Sequence, residues 1–407
     1  MDSAIAPPSL AGSRPRRTFA LLWSASVLSA LGDGIRDVAM PLVAAGLTRD
    51  PAGVAAVYVA GRAPWLLCSP ATGVLADRWD RRRAMAAVDV LRCAAAGGLA
   101  VGIAAGAVGI PLLVAVAFLL GAGQTLVDNA AHAWLPDVVG AGALEGANGR
   151  LESGLSIARD MAGPALGGLL FALSPLVPFG VDAVTFAVAA GLILATSRGG
   201  AVPHPFTEKE PFRTAIAVGA RWLWSHRLLR RYWLIAAAVN AVVGAGLSVI
   251  VLLALERLGL PAGAVGLLLS TQALGGFVGG FLAGRLHASF GTGRVTTACI
   301  AGAGLSLLGL GLTRSAIVAG LCLSALATMG TVFSVASTSL RQRLAPDALR
   351  GRVNGASRFL TYGALALGGV AGAALARGAG LQAPFLAGAG VLTVLALVSS
   401  GMELDEG

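Results

Sequence analysis

Apolar runs of about 20 residues, the length at which an α-helix crosses a hydrocarbon layer roughly 30 Å thick, follow one another along this chain with only short charged or Pro/Gly-rich breaks. In lipid a segment must satisfy its own backbone N–H and C=O groups, so runs of this kind fold as helices. The breaks define twelve predicted spans, 18–47, 52–76, 84–105, 111–134, 147–173, 178–197, 230–255, 262–286, 294–312, 316–341, 351–377 and 380–401. Composition agrees, because 56% of the residues are hydrophobic and 12% charged, where a soluble domain has about a quarter charged. The expected fold class is an all-α integral membrane protein. Its predicted parts are a cytoplasmic tail over 1–17, a six-helix bundle over 18–197, a basic cytoplasmic linker over 198–229 holding Pro203, Pro205 and Pro211, a second six-helix bundle over 230–401, and a tail over 402–407.

The formal charge of +10 would suggest a nucleic-acid partner in a soluble protein. Here the distribution points elsewhere. Of the 30 Lys and Arg residues, 21 fall in the N-terminus and the even-to-odd connections, 4 in the opposite loops (Arg49, Arg257, Arg314 and Arg377), and 5 within helices (Arg36, Arg62, Arg92, Arg159 and Arg358). Basic loops stay in the cytoplasm, so both termini are expected there and no nucleic acid is implied. Arg14, Arg16 and Arg17 precede an apolar run too long for a signal-peptide core. Lys209 stands alone among arginines, the usage of a high-GC bacterium, and the bacterial inner membrane is the expected location.

The two halves repeat. Leu135-Pro136-Asp137 with Asn148-Gly149 answers to Ala345-Pro346-Asp347 with Asn354-Gly355, Gly73/Ala76 to Gly280/Ala283, and Gly32/Gly34 to Gly244/Gly246, all displaced by 206 to 212 residues. A near-constant displacement over six helices implies two copies of one unit in the same orientation, a parallel repeat.

No apparatus for catalysis is visible: HExxH, GxxxxGK[ST] and GxSxG are absent, and Cys68, Cys93, Cys299 and Cys322 lie in apolar segments without CxxC spacing. An enzyme, a cofactor and a bound metal are therefore not expected. The chemistry sits in ionisable groups inside the helices, where burying a charge costs a few kcal/mol or more. Asp33, Arg36 and Asp37 lie near mid-depth of the first span, Asp33 about 21 Å along from Phe19. Arg62 on the second falls at the level of Asp37 and can pair with it. Two readings stay open: a self-neutralising cluster that pins helices together, or a carboxylate that exchanges a proton while a site alternates between faces. Because Ala245 stands in the second copy where Asp33 stands in the first, the charge is not needed merely to build a six-helix unit. Arg159 and Asp160, adjacent and about 100° apart on a helix, are expected to have separate partners, and Asp182 lies near the outer end of the sixth span. Gln124, Asn240 and Gln272 are candidates for a substrate cavity or for bonds between helices. Gly368 and Gly372 have the spacing of close helix packing. Trp65 and Tyr58 suit an interfacial anchor or a pocket wall, and Trp222, Trp224, Tyr232 and Trp233 a membrane-surface amphipathic segment.

Between the second and third spans, the residues from Asp77 to Arg83 place two acids and four arginines in seven positions, which requires a water-exposed loop. Gly73, Leu75, Ala76, Asp77, Arg78 and Arg81 match the form G-x-L-a-D-r-x-G-R-k, with Asp80 in place of the glycine. This loop, the twelve spans and the repeat resemble the major facilitator superfamily over essentially the whole chain. Leu31-Gly32-Asp33-Gly34 and Val127-Asp128-Asn129 are similar to its macrolide-efflux and enterobactin-exporter branch, and Gly163-Pro164-Ala165-Leu166-Gly167-Gly168 resembles the end of a drug-antiporter signature whose upstream glycine is here Arg159. The resemblance implies a monomeric exporter of amphipathic small molecules driven by proton entry. It implies a cytoplasmic gate of Gly73, Asp77, Arg78, Arg81 and Asp128 in which Arg81 pairs with Asp128; for such an exporter the mid-depth Asp33 and Asp37 are the expected proton or cation coupling residues with Arg62 as counter-charge, and Gly163, Pro164, Gly167 and Gly168 the expected bend. A proton-coupled nutrient importer and a transport-inactive receptor or scaffold on the same fold are the alternatives.

Overall fold

The computed structural model describes residues 13–67, 80–140, 143–196, 212–346 and 349–400. Thirteen helices lie within them. In the first half these are α1 (Ser13–Leu47), α2 (Pro51–Leu67), α3 (Arg81–Ala104), α4 (Ile110–Val139), α5 and α6 (Val177–Ala195). Helix α5 runs through Leu144–Ser156, a π-helical turn at Ile157–Ala162 and Gly163–Leu173. The second half opens with α7 (Phe212–Ser225) and then α8, which runs through Arg227–Leu247, Ile250–Leu252 and a π-turn at Leu253–Arg257. It continues with α9 (Ala262–Phe290), α10 (Thr292–Leu312), α11 (Ala316–Leu344), α12 (Arg350–Ala379) and α13 (Ala383–Ser400).

Ten of these helices are long and apolar enough to cross a membrane. The two further spans expected from the sequence are α2, described for 17 residues, and α5, divided by its π-turn. Large apolar side chains face outward, among them Leu173, Phe277, Ile317 and Leu367, while Asp33, Arg36, Asp89, Arg92 and Asp182 are buried. A soluble monomer does not expose apolar surface on this scale. Lipid is the solvent that this distribution suits.

The repeat is physical. Helix α1 packs on α5 as α8 packs on α12, α2 on α4 as α9 on α11, and α3 on α6 as α10 on α13. Equivalent glycines make equivalent contacts: a Cβ on Gly34 would run into the Arg159 carbonyl of α5, and one on Gly244 into the Leu365 carbonyl of α12. The molecule is two parallel-repeat six-helix bundles. They meet along α2 with α12 and α5 with α9, where Gly168 abuts Gly263 and Gly266, and Trp65 stacks on Tyr362 with ring centroids 5.4 Å apart. At the loop end away from the termini, Arg49 pairs with Glu256 at 3.0 Å and Arg377 with Asp50 at 3.2 Å, both across the halves.

One expectation gains detail and one changes. The stretch expected to be linker contains α7, which docks on the start of α12 through Gly219 against the Arg352 backbone and buries Leu223, leaving Trp224 half-exposed. Tyr232 is not part of that surface: it is buried, shares a 3.1 Å hydrogen bond with Thr296 and stacks near Phe333. Asp80, the departure from the loop pattern, caps α3 by accepting from the Arg83 N–H at 3.2 Å, which a glycine there cannot do.

A methyl at Gly368 would collide with the Ala241 carbonyl, whereas one at Gly284 meets open space. Gly368→Ala is expected to lower stability by about 1–3 kcal/mol through overpacking. Gly284→Ala should leave the thermal unfolding midpoint of the purified protein unchanged, which fluorescence-detected melting in detergent can check.

Candidate functional site

One turn of α1 places Asp33, Arg36 and Asp37 toward the inside of the first bundle, because positions three and four apart share a helix face. Asp33 is 1% exposed, accepts from Arg36 at 2.6 Å on its own helix and from Arg92 on α3, and forms an ion pair with Arg159 on α5 at 3.6 Å. Arg92 also donates to Asp89 at 3.2 Å and to the Ser29 hydroxyl at 3.0 Å, and its guanidinium lies 3.9 Å from the centre of the Phe186 ring on α6. Arg159 pairs with Asp128 on α4 at 3.1 Å. The π-turn that carries Arg159 adds a residue to the helical repeat, which sets the side chain's direction, and such turns are frequent at functional sites. The Gln124 amide lies between Arg36, at 3.3 Å from its oxygen, and Arg159, to which the flipped amide would accept two bonds of 3.2 Å.

Arg36 continues the network to Asp37 at 3.3 Å, and Arg62 on α2 closes on the far Asp37 oxygen at 3.2 Å. Among the carboxylates of the network Asp37, 28% exposed at its side chain, is the most open, beside Arg62 at 36%. With Arg36, Arg62, Tyr58, Gly61 and Val57 it lines a partly open cavity of about 30 Å³. Arg62 stands 5.4 Å from the centre of the Tyr58 ring, so Tyr58 is a pocket wall rather than an interfacial anchor.

Four guanidinium groups thus face four carboxylates, those of Asp33, Asp37, Asp89 and Asp128. Within a lipid-embedded bundle each ion is tolerable only because its partners satisfy it. Asp182 on α6 stands apart, fully buried with neither carboxyl oxygen hydrogen-bonded. Asp160 accepts from Ser156 at 2.9 Å, so the adjacent Arg159 and Asp160 do have separate partners.

Sequence reasoning brings Asp37 and Arg62 together at the depth where the structure pairs them. It places Arg92 inside a helix without a partner and says nothing of Asp89, although acid and arginine three apart in an apolar helix repeat the Asp33/Arg36 spacing. The expected pairing of Arg81 with Asp128 is corrected. Arg81 pairs with Asp137, 2.5 Å away at the end of α4, and Arg159 takes Asp128. Gly73, Asp77 and Arg78 lie outside the described residues. Gln124 belongs to the ion network, whereas Asn240 donates to the Ala236 carbonyl at 2.8 Å and Gln272 to that of Leu269 at 3.5 Å, each on its own helix. Gly163 and Gly167 are close-approach points against Gly34 and Ile35 of α1, next to Pro164, and Gly168 performs the same service across the halves.

Because the Arg81–Asp137 pair is partly exposed, Arg81→Ala is expected to change stability by less than about 1 kcal/mol. Arg159→Gln strips Asp128 of its guanidinium inside the bundle and is expected to cost about 3–5 kcal/mol. Denaturation of the purified variants in detergent measures both.

Comparison with known proteins agrees with this architecture. The chain is 28% identical over 383 residues to the multidrug efflux pump Tap of Mycobacterium tuberculosis, covering 90% of this chain and 89% of that protein. Its fold superposes on a bacterial homologue of the iron transporter ferroportin in an inward-facing state, with a TM-score of 0.72, 18% identity, and coverage of 97% of this chain and 100% of the other. A bacterial homologue of the lysosomal transporter Spinster, inward-facing and occupied, gives a TM-score of 0.73 at 15% identity, covering 97% and 98% of the two chains. The family model of transmembrane secretion effectors matches residues 9–407. With its helices arranged as two parallel repeats and the match running through residues 9–407, the chain belongs to that family of major facilitator superfamily transporters.

Proposed function

We propose that the protein is a proton-coupled exporter of amphipathic small molecules in the bacterial inner membrane, with both termini cytoplasmic. The observation that carries this reading is the Asp37–Arg62 pair on the wall of the cavity, joined through Arg36 to the buried carboxylate of Asp33. A proton or a cationic substrate arriving from the cavity meets Asp37 first. Its arrival weakens the hold of Asp37 on Arg62 and Arg36, and Arg36 transmits the change to Asp33, Arg92 and Arg159.

Asp33 and Asp37 then act as the coupling carboxylates and Arg62 as the counter-charge. The likeness to a protein named a multidrug efflux pump supports the outward direction. In this reading the two bundles rock along their glycine-lined contacts to open one face at a time. The turn from Ile157 through Gly163, Pro164, Gly167 and Gly168 takes up the bend in α5, and the loop with Gly73, Asp77, Arg78 and Arg81 forms the cytoplasmic gate together with Asp128 on α4. A monomer suffices, since both walls of the cavity come from one chain.

The test is ethidium transport in everted vesicles. Wild-type protein is expected to accumulate ethidium at the expense of an imposed proton gradient, and ethidium should partly dissipate that gradient. Asp37→Asn and Asp33→Asn are expected to abolish the uphill component while the protein remains inserted. Uphill movement at the wild-type level in both variants would refute the coupling role. Flux of a nutrient in the opposite direction would favour an importer, and no flux of any solute a receptor or scaffold.

A further inference from the structure

The buried carboxyl of Asp182 is the acid for which the ion network has no cation. Its side chain is fully enclosed and both oxygens lack a hydrogen-bond donor. Helix α1 seals it: Gly32 lies so close that a Cβ there would strike both the Asp182 carboxyl and the Thr185 hydroxyl. That hydroxyl gives no help, because it donates to the Asp182 backbone carbonyl at 2.7 Å. The two guanidinium groups buried in the bundle on the helices packed around α6 donate to other partners. On α1, Arg36 donates to Asp33, Asp37 and Gln124, and on α3, Arg92 donates to Asp33, Asp89 and Ser29. The segment Gly163–Leu173 of α5 contributes no ionisable side chain. An ionised carboxylate without a donor, in a bundle surrounded by lipid, costs far more than the neutral acid.

We propose that Asp182 carries a bound proton in this conformation and is the internal proton site of the transport cycle. The proposal rests on the reading of the protein as a proton-coupled transporter and extends it to a residue on α6. Arg36 lies four residues beyond Gly32 on the same face of α1, about 5–6 Å along the helix. It is the guanidinium that a shift of α1 against α6 brings to Asp182. When Asp182 gives its proton to water, Arg36 turns to the new carboxylate and leaves Asp37 to Arg62 alone. The charge lining the cavity then changes without any ion entering it. Proton release at α6 is thereby tied to the wall that a solute touches.

The test uses the full-length protein in lipid nanodiscs and reads the carboxyl by infrared spectroscopy with 13C-labelled aspartate. At neutral pH the wild type is expected to show the C=O band of a protonated aspartic acid, and Asp182→Asn to lack it. No such band in the wild type, or an undiminished band in the variant, overturns the proposal. The wild-type arm needs no substitution, so an absent band overturns the proposal even if Asp182→Asn fails to fold. In proteoliposomes Asp182→Asn should lose the response of ethidium flux to an imposed proton gradient, and Asp182→Glu should regain it. An Asn variant that keeps the wild-type response also overturns the proposal. If the wild type itself moves no ethidium, the exporter reading fails, and the infrared difference between wild type and Asp182→Asn still settles whether Asp182 holds a proton.

Discussion

The Asp33 carboxylate, shared by guanidinium groups from α1, α3 and α5, is the interaction on which the first bundle depends. Lipid offers no water to solvate an ion, so each charge must find its partner within the protein or not be there at all. Four helices are tied by this requirement, since α4 adds Asp128 and Gln124 to the same group of arginines. A carboxylate with three cationic neighbours is also a fixed point. Displacing any one helix leaves at least one ion less compensated, and the bundle therefore moves as a unit or exchanges partners.

The second half is built otherwise. Glu256 is its one acid among the described residues, and it sits at the loop end, bonded across to Arg49. Its helices are held by apolar packing and by glycine contacts such as Gly275 against Ser324 and Gly368 against Ala241. Where the two halves meet, the contacts among the described residues are again small residues and one aromatic stack, with the ion pairs between described residues at the loop end. Smooth surfaces of this kind allow rocking without stripping a buried charge.

Much of this was legible in the sequence, for reasons that also explain the failures. Span length and the positive-inside pattern act along one dimension, so helix positions and the repeat follow from counting. Depth along a helix is one-dimensional too, and it is enough to set Arg62 beside Asp37. Partners chosen across helices are not. Arg81 stands at the start of α3, level with Asp137, whereas Asp128 is nine residues, or about 14 Å, deeper. Only the π-turn of α5 shows that Arg159 reaches that depth from another side. Tyr232 and Trp233 are neighbours in sequence, yet a turn of about 100° sends Tyr232 into the core. The isolation of Asp182 depends on Gly32 of a different helix, which no spacing along α6 can reveal.

A double-mutant cycle on Asp33 and Arg92, with Asp33→Asn and Arg92→Gln alone and together, tests the shared-carboxylate account most directly when read as unfolding free energy in detergent. The account predicts that each single change is costly because it strands the other's charge, and that the pair together costs clearly less than the sum, with a coupling of about 3 kcal/mol or more. Additive costs within about 0.5 kcal/mol would contradict it, since they would mean that the bundle does not depend on this ion pair.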